Sequence, residues 1–157
     1  RGVELCLETL GASHHLTLGM RRSHTLILQQ SGRSAAAAAI LAEVLAGHRS
    51  LYGDDHEETR TTLAAYARLL WSMKRFAEAE PMYADLLERY RRVLGPDDPR
   101  TLTATSNYAF FLGEVGRSDE ALALLEQLYN ARLRVLGENH PETLFSMGQH
   151  AKSRIIQ

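Results

Sequence analysis

Leu94-Gly95-Pro96-Asp97-Asp98-Pro99-Arg100-Thr101, LGPDDPRT, is a helix breaker inside a chain otherwise rich in the helix formers Ala, Leu and Arg. Three relatives of it stand elsewhere: LGASHHLT at Leu10 to Thr17, YGDDHEET at Tyr52 to Thr59 and LGENHPET at Leu136 to Thr143. Their glycines, Gly11, Gly53, Gly95 and Gly137, recur every 42 residues. A period kept along the whole chain means an array of small units, each stacked on its neighbours, in place of one closed core.

Composition narrows the function classes. The 157 residues carry a net charge of −1, with 18 Lys and Arg spread among 19 acids. That balance leaves no basic stripe for nucleic acid and no polybasic patch for a membrane, so neither partner is expected. The longest stretch of low polarity, Ala35 to Leu45, includes Glu43 and is far shorter than the roughly 20 residues a membrane span needs. No signal-peptide pattern opens the sequence. Cys6 is the only cysteine, which excludes an intrachain disulfide and a thiolate zinc site and fits a reducing compartment; a cytoplasmic location is the expectation.

Between two breakers lie stretches with one weaker interruption near the middle: Ser31-Gly32-Arg33, Met73-Lys74-Arg75 and Val115-Gly116-Arg117. Each period therefore reads as a helical hairpin. Gly32 and Gly116 suit the left-handed residue that closes a helix, whereas Lys74 in the same column must accept that conformation at about 1 kcal/mol or take another turn. Ser13, Asp55, Asp97 and Asn139 are good N-cap types, Pro99 and Pro141 suit a first turn, and Glu58 and Glu142 are spaced for a capping box. The whole chain, 1–157, is expected to be one array: 1–10 the end of a preceding helix, 11–52, 53–94 and 95–136 three repeats, and 137–157 a terminal half repeat or capping helix.

Aligned by period, the apolar positions form columns. In the first helices these are Leu28, Leu70 and Leu112; Ala67, Ala109 and Ala151; and Tyr66 with Tyr108. In the second helices they are Ala37, Ala79 and Ala121; Leu41, Tyr83 and Leu125; and Val44, Leu86 and Leu128. Small residues let helix backbones approach, and the larger ones three or four positions on fill the seam.

At these columns the chain resembles the tetratricopeptide repeat family, whose signature pairs an Ala with a large residue four later, as in Ala79 with Tyr83 and Ala121 with Leu125. The 42-residue period and the LGxxHPxT joint resemble more specifically the kinesin-light-chain type. That type carries Asn-Asn-Leu-Ala in the first helix, then Gly-Arg-Tyr and Glu-Ala-Glu; here stand Ala64 to Ala67, Arg75-Phe76 and Glu78-Ala79-Glu80, and Ser106 to Ala109 with Gly116-Arg117. Of those asparagines only Asn107 is kept. HEAT and armadillo repeats have a similar period but lack this joint. The resemblance implies an all-α, right-handed superhelical array of hairpins, an α-solenoid whose first helices line a concave face that holds a peptide or protein segment.

On that face, spacing by three and four gives Arg22, Leu26 and Gln29; Ala64, Arg68 and Trp71; Ser106, Phe110 and Gly113; and Gly148, Lys152 and Ile155, with Asn107 beside it. Unlike the core columns, these positions differ from repeat to repeat. The expected peptide-binding residues are Arg22, Leu26, Arg68, Trp71, Asn107, Phe110 and Lys152, with the aromatics and Leu26 as anchors and the cations set for an acidic partner residue. The plainer reading is that Trp71 and Phe110 fill the first-helix side of the array or touch a neighbouring copy.

His14, His56 and His140 recur in the joints one period apart, too far for one metal ion, and read as turn and cap residues. His24 and His150 share the Tyr66 column and read as partly buried. Arg89, Arg91 and Arg92 read as a solvated face. No nucleophile motif, phosphate loop or paired catalytic carboxylates is found, so neither enzyme activity nor a cofactor or metal is expected. The alternative function is architectural: an oligomerising or sensor segment of a larger multidomain regulatory protein, self-associating through Leu5, Leu10, Ile155 and Ile156, unless Arg154 caps the last helix.

Overall fold

A computed structural model describes residues 2–155, with side chains for 2–151. Among the described residues all regular structure is helical, in eight helices: α1 (Gly2–Leu10), α2 (His15–Gln30), α3 (Ser34–Tyr52), α4 (Glu57–Ser72), α5 (Phe76–Leu94), α6 (Pro99–Glu114), α7 (Ser118–Leu136) and α8 (Pro141–Ile155). First helices start at His15, Glu57, Pro99 and Pro141 and second helices at Ser34, Phe76 and Ser118, so the 42-residue period sets every boundary. α1 ends where a second helix should end. The chain packs as two units, residues 1–82 and 83–157, divided within α5.

The joint works by backbone geometry. Gly11, Gly53, Gly95 and Gly137 all have φ between 84° and 89°, a region costly for residues with a Cβ, and each N–H still closes a bond to the carbonyl four residues back. The cap that follows lies one residue later than expected. It is His14, His56, Asp98 and His140, not Ser13, Asp55, Asp97 and Asn139, whose side chain accepts from the backbone N–H two residues on, at 3.3, 3.2, 2.8 and 3.2 Å. An imidazole Nδ1 replaces the usual oxygen in three of the four. The capping-box expectation fails for the same reason: Glu58 and Glu142 fall two residues after the cap, and their carboxylates pair with Arg22 and Arg132. The threonine ending each joint motif, Thr17, Thr59, Thr101 and Thr143, is buried in the first turn.

Inside each hairpin the turn is a Schellman closure: Arg33, Arg75 and Arg117 N–H groups reach the carbonyls of Leu28, Leu70 and Leu112 at 2.8, 2.9 and 2.9 Å. Lys74 takes the left-handed conformation there at φ 60°, as Gly32 and Gly116 do. Lys74→Gly should therefore stabilise the chain by about 1 kcal/mol, less whatever the Lys74 ammonium contributes 5.5 Å from the Phe76 ring centroid. Urea unfolding checks this; an unchanged or lower stability contradicts it.

The core columns are buried as expected in both units: Leu28, Ala37, Leu41, Val44, Ala67 and Leu70 in the first, and Tyr83, Leu86, Ala109, Leu112, Ala121, Leu125 and Leu128 in the second. Ala79 is buried likewise. Tyr66 and Tyr108 are only partly buried, and Ala151 is exposed although Ala67 and Ala109 are not. Leu144 and Met147 on the same helix are exposed too, while their column partners Leu102 and Leu63 are buried. Among the described residues no second helix follows α8 to cover that side.

At three of the four joints a second column ties a second helix to the first helix that follows it, through residues 14 apart. Cys6 Sγ meets Met20 Sδ at 3.2 Å, His48 Nδ1 meets Thr62 Oγ1 at 3.0 Å, and Arg132 Nη1 donates to Ser146 Oγ at 2.6 Å. One position thus holds a sulfur pair, an imidazole–hydroxyl pair and a guanidinium–hydroxyl pair.

Candidate interaction face

The position that carries Leu26 in α2, Arg68 in α4 and Phe110 in α6 is exposed in all three helices, although Thr25, Ala67 and Ala109 immediately before it are buried. Leu26 is 53% and Phe110 37% exposed, which for apolar side chains on packed helices leaves surface to be covered. Trp71, one turn after Arg68 on α4, is partly buried, and Asn107, one turn before Phe110 on α6, is exposed. Within the first unit the face therefore pairs a cation with an aromatic. Within the second it pairs an amide with an aromatic. The side chain of Lys152, the remaining member of the column, lies outside the described residues, as do those of Arg154, Ile155 and Ile156.

Arg22 is committed elsewhere. Its Nη1 donates to Glu58 Oε2 at 2.7 Å, tying α2 to the start of α4, with both side chains partly exposed. Behind this pair lies His48, 1% exposed, which sequence reasoning passed over. Burial pushes its pKa below the ordinary value; Arg22 and His56 push the same way, while the Glu58 carboxylate and a hydrogen bond to the Glu58 backbone oppose. The unfolded chain takes up a proton near pH 6.5 and the folded chain only at lower pH, so His48 stabilises the fold fully above 6.5 and loses that contribution as pH falls. From this one group the slope is at most about 1.4 kcal/mol per pH unit. Urea unfolding at pH 7.5 and 5.5 should show the loss, and His48→Gln should reduce it.

Arg60 and Arg132 were also missed. Arg60, 4% exposed, sits in the column of Leu18 and Leu102 and donates to the Asp55 carbonyl, so its stem does the packing of a leucine. Arg132 reaches Ser146, the Glu142 carbonyl at 3.3 Å and the Glu142 carboxylate at 3.0 Å. The only sequence signal for both was a charge in a column that is otherwise apolar or variable. Arg91 and Arg92 are exposed, Arg91 bonding Gln127, whereas Arg89, expected on the same solvated face, is partly buried and bonds Asp85. Among the described residues no His, Cys, Asp and Glu group of three is placed to hold a metal ion, and no helix is long and apolar enough to cross a membrane.

Comparison with known proteins places this geometry. The tetratricopeptide repeat family model matches residues 24–92, 66–110 and 100–154. Among solved structures, a Podosopora anserina protein described as a kinesin light chain with nearly identical TPR-like repeats superposes with a TM-score of 0.89 at 22% identity, over 98% of this chain and 72% of that one. A variant of it gives 0.89 at 21% identity over the same shares. BtubC (BKLC) from P. vanneervenii gives 0.75 at 19% identity, over 88% of this chain and 57% of that one. At these identities the likeness shows the fold alone. No curated protein matches the sequence.

Proposed function

Because the chain belongs to the tetratricopeptide repeat family, we propose that it is a protein-interaction module that binds a protein segment on the exposed, concave-lining faces of its first helices. Such repeats typically serve as non-catalytic scaffolds for protein contacts. The observation that carries the finer reading is the Leu26, Arg68 and Phe110 column, exposed in every described member while the residue immediately before it is buried, and different in each. A buried column repeats because each repeat presents it to the same neighbour. A surface column that varies fits a ligand that does not repeat.

The chemistry of the ligand follows from the pairs. Arg68 beside Trp71 suits a segment with an acidic residue next to an apolar one, and Asn107 beside Phe110 suits a backbone amide next to an apolar side chain. Arg22 contributes by holding α2 on α4. Capture on the immobilised chain, run in parallel on Phe110→Asp and Arg68→Glu, tests the reading. Segments retained by the parent and lost from either variant support it; equal retention on all three contradicts it.

Exposed Leu144, Phe145 and Met147 on α8 favour a second reading, an oligomerising segment. Light scattering over a concentration series should then show association that Leu144→Asp abolishes. A monomer at every concentration contradicts this second reading.

A further inference from the structure

In the third repeat two positions that elsewhere carry a long side chain are short together, and a cavity opens beside them. The first-helix position reads Arg21, Leu63 and Thr105 from repeat to repeat, and the second-helix position reads Gly47, Arg89 and Ala131. Arg21 and Arg89 have side chains 15% exposed, and their guanidiniums pair with Glu43 and with Asp85. Thr105 and Ala131 replace both with little volume. Together with Leu102 and Leu128 they are buried and floor a cavity of about 350 Å³ between α5, α6 and α7. The Thr105 hydroxyl donates to the Thr101 carbonyl at 2.9 Å, so its proton is already used. The lining runs from Arg91 to Arg134, away from both ends of the sequence.

The charge at the mouth has lost its counterpart through the same kind of exchange. Arg91, in the last turn of α5, lies there beside Pro96. One repeat earlier its equivalent, Arg49, pairs with Asp54 at 2.9 Å, and Pro96 stands in the place of Asp54. The position of Glu43 and Asp85 is held by Gln127, and Arg91 donates to that neutral amide oxygen at 3.0 Å. Asp97, the carboxylate of the lining, is taken by Arg134 of α7. Two guanidiniums therefore share one carboxylate above an apolar floor.

We propose that this cavity is a second binding site, which takes an acidic segment of a partner protein: an aliphatic side chain enters the cavity and a neighbouring carboxylate pairs with Arg91. The volume lies near the bottom of the range for ligand pockets, about 300 to 1,000 Å³, and so has room for a side chain and not for a cofactor. A carboxylate gives Arg91 the charge-assisted bond that Asp54 gives Arg49, roughly twice as strong as the bond to a neutral amide. The aliphatic body replaces the volume that Arg21 and Arg89 supply in their repeats. The site shares no residue with the Leu26, Arg68 and Phe110 column, so either can fail without the other.

The probe is the end-capped peptide Gly-Glu-Leu-Glu-Gly, titrated into the isotope-labelled 157-residue chain and followed by nuclear magnetic resonance. Saturable shifts are expected at the side-chain amides of Gln127 and Asn130 and at the Ala131 methyl. Arg91→Gln, which alters an exposed side chain and so leaves the fold intact, should weaken binding by about tenfold or more. Exchanging both glutamates of the peptide for glutamine, or its leucine for glycine, should do the same. Gln127→Asp combined with Ala131→Arg rebuilds the pair made by Asp85 and Arg89, fills the cavity and should abolish binding with helicity unchanged by circular dichroism. Absence of saturable shifts, shifts centred on Asn107 and Phe110, or undiminished binding to Arg91→Gln overturns the proposal. Equal affinity for isocaproate overturns it by assigning the cavity to a free carboxylic acid. Self-association of the parent that Arg91→Gln disperses overturns it by assigning the cavity to a second copy.

Discussion

Tyr83→Ala should destabilise the chain by about 3 to 5 kcal/mol, the cost of cutting a buried aromatic to Ala. Tyr83 is 4% exposed and belongs to a three-ring cluster: its ring centroid lies 5.1 Å from that of Phe111 and 6.3 Å from that of Tyr108, so one side chain of α5 is gripped by two of α6. Leu41 and Leu125, its column partners, fill the same place with a smaller group, and Phe111 is large where Ile27 and Leu69 are aliphatic. The aromatic has therefore grown together with its neighbours. Tyr83→Leu should cost less than Tyr83→Ala, yet more than nothing, because the ring contacts go while most of the volume stays. In a double-mutant cycle Tyr83→Ala and Phe111→Ala should be less than additive. Thermal unfolding of Tyr83→Ala within a degree of the parent would refute this packing.

The other large effect concerns binding. Phe110→Ala should weaken binding of a captured segment by about 2 kcal/mol or more, roughly thirtyfold, because a covered aromatic anchor carries a disproportionate share of affinity. Phe110 stands outside the ring cluster and is exposed, so the fold should survive the change. Arg68→Ala should cost less and reveal itself in salt dependence: an exposed cation acts over a distance that 0.15 M salt screens at about 8 Å. Calorimetric titration at low and physiological salt separates the two. Equal salt slopes for parent and Arg68→Ala would remove Arg68 from the site.

The array was legible because its signal is periodic. Glycine every 42 residues, the hairpin turns and the Ala and Leu columns are enforced by stacking in every repeat, so each repeat confirms the others. What the sequence hid was what the repeats do not share. The cap moved by one residue because histidine, an uncommon cap type, outcompeted Asp55 and Asn139 beside it once the backbone turned. His48, Arg60 and Arg132 were passed over, since a buried imidazole or guanidinium is credible only when its partner 14 residues away, or a carbonyl in the next loop, is known. Ala151 read as core because its column is core, but a column is buried only where a neighbouring helix covers it. Arg22 read as a free cation for the same kind of reason: the partner that takes it, Glu58, lies 36 residues away, in the next repeat.

On the proposed function, the variable first-helix column is where this module holds its partner. Trp71 is the only tryptophan, and it lies one turn from Arg68 on α4, so its emission reports on the first-unit face without any label. Titrating the chain with a captured segment should change that emission saturably, and Arg68→Glu should shift the curve to markedly higher concentration with helicity unchanged by circular dichroism. A segment that binds with the same affinity to the parent, Arg68→Glu and Phe110→Ala, and leaves Trp71 emission untouched, would contradict the account and place the binding surface elsewhere.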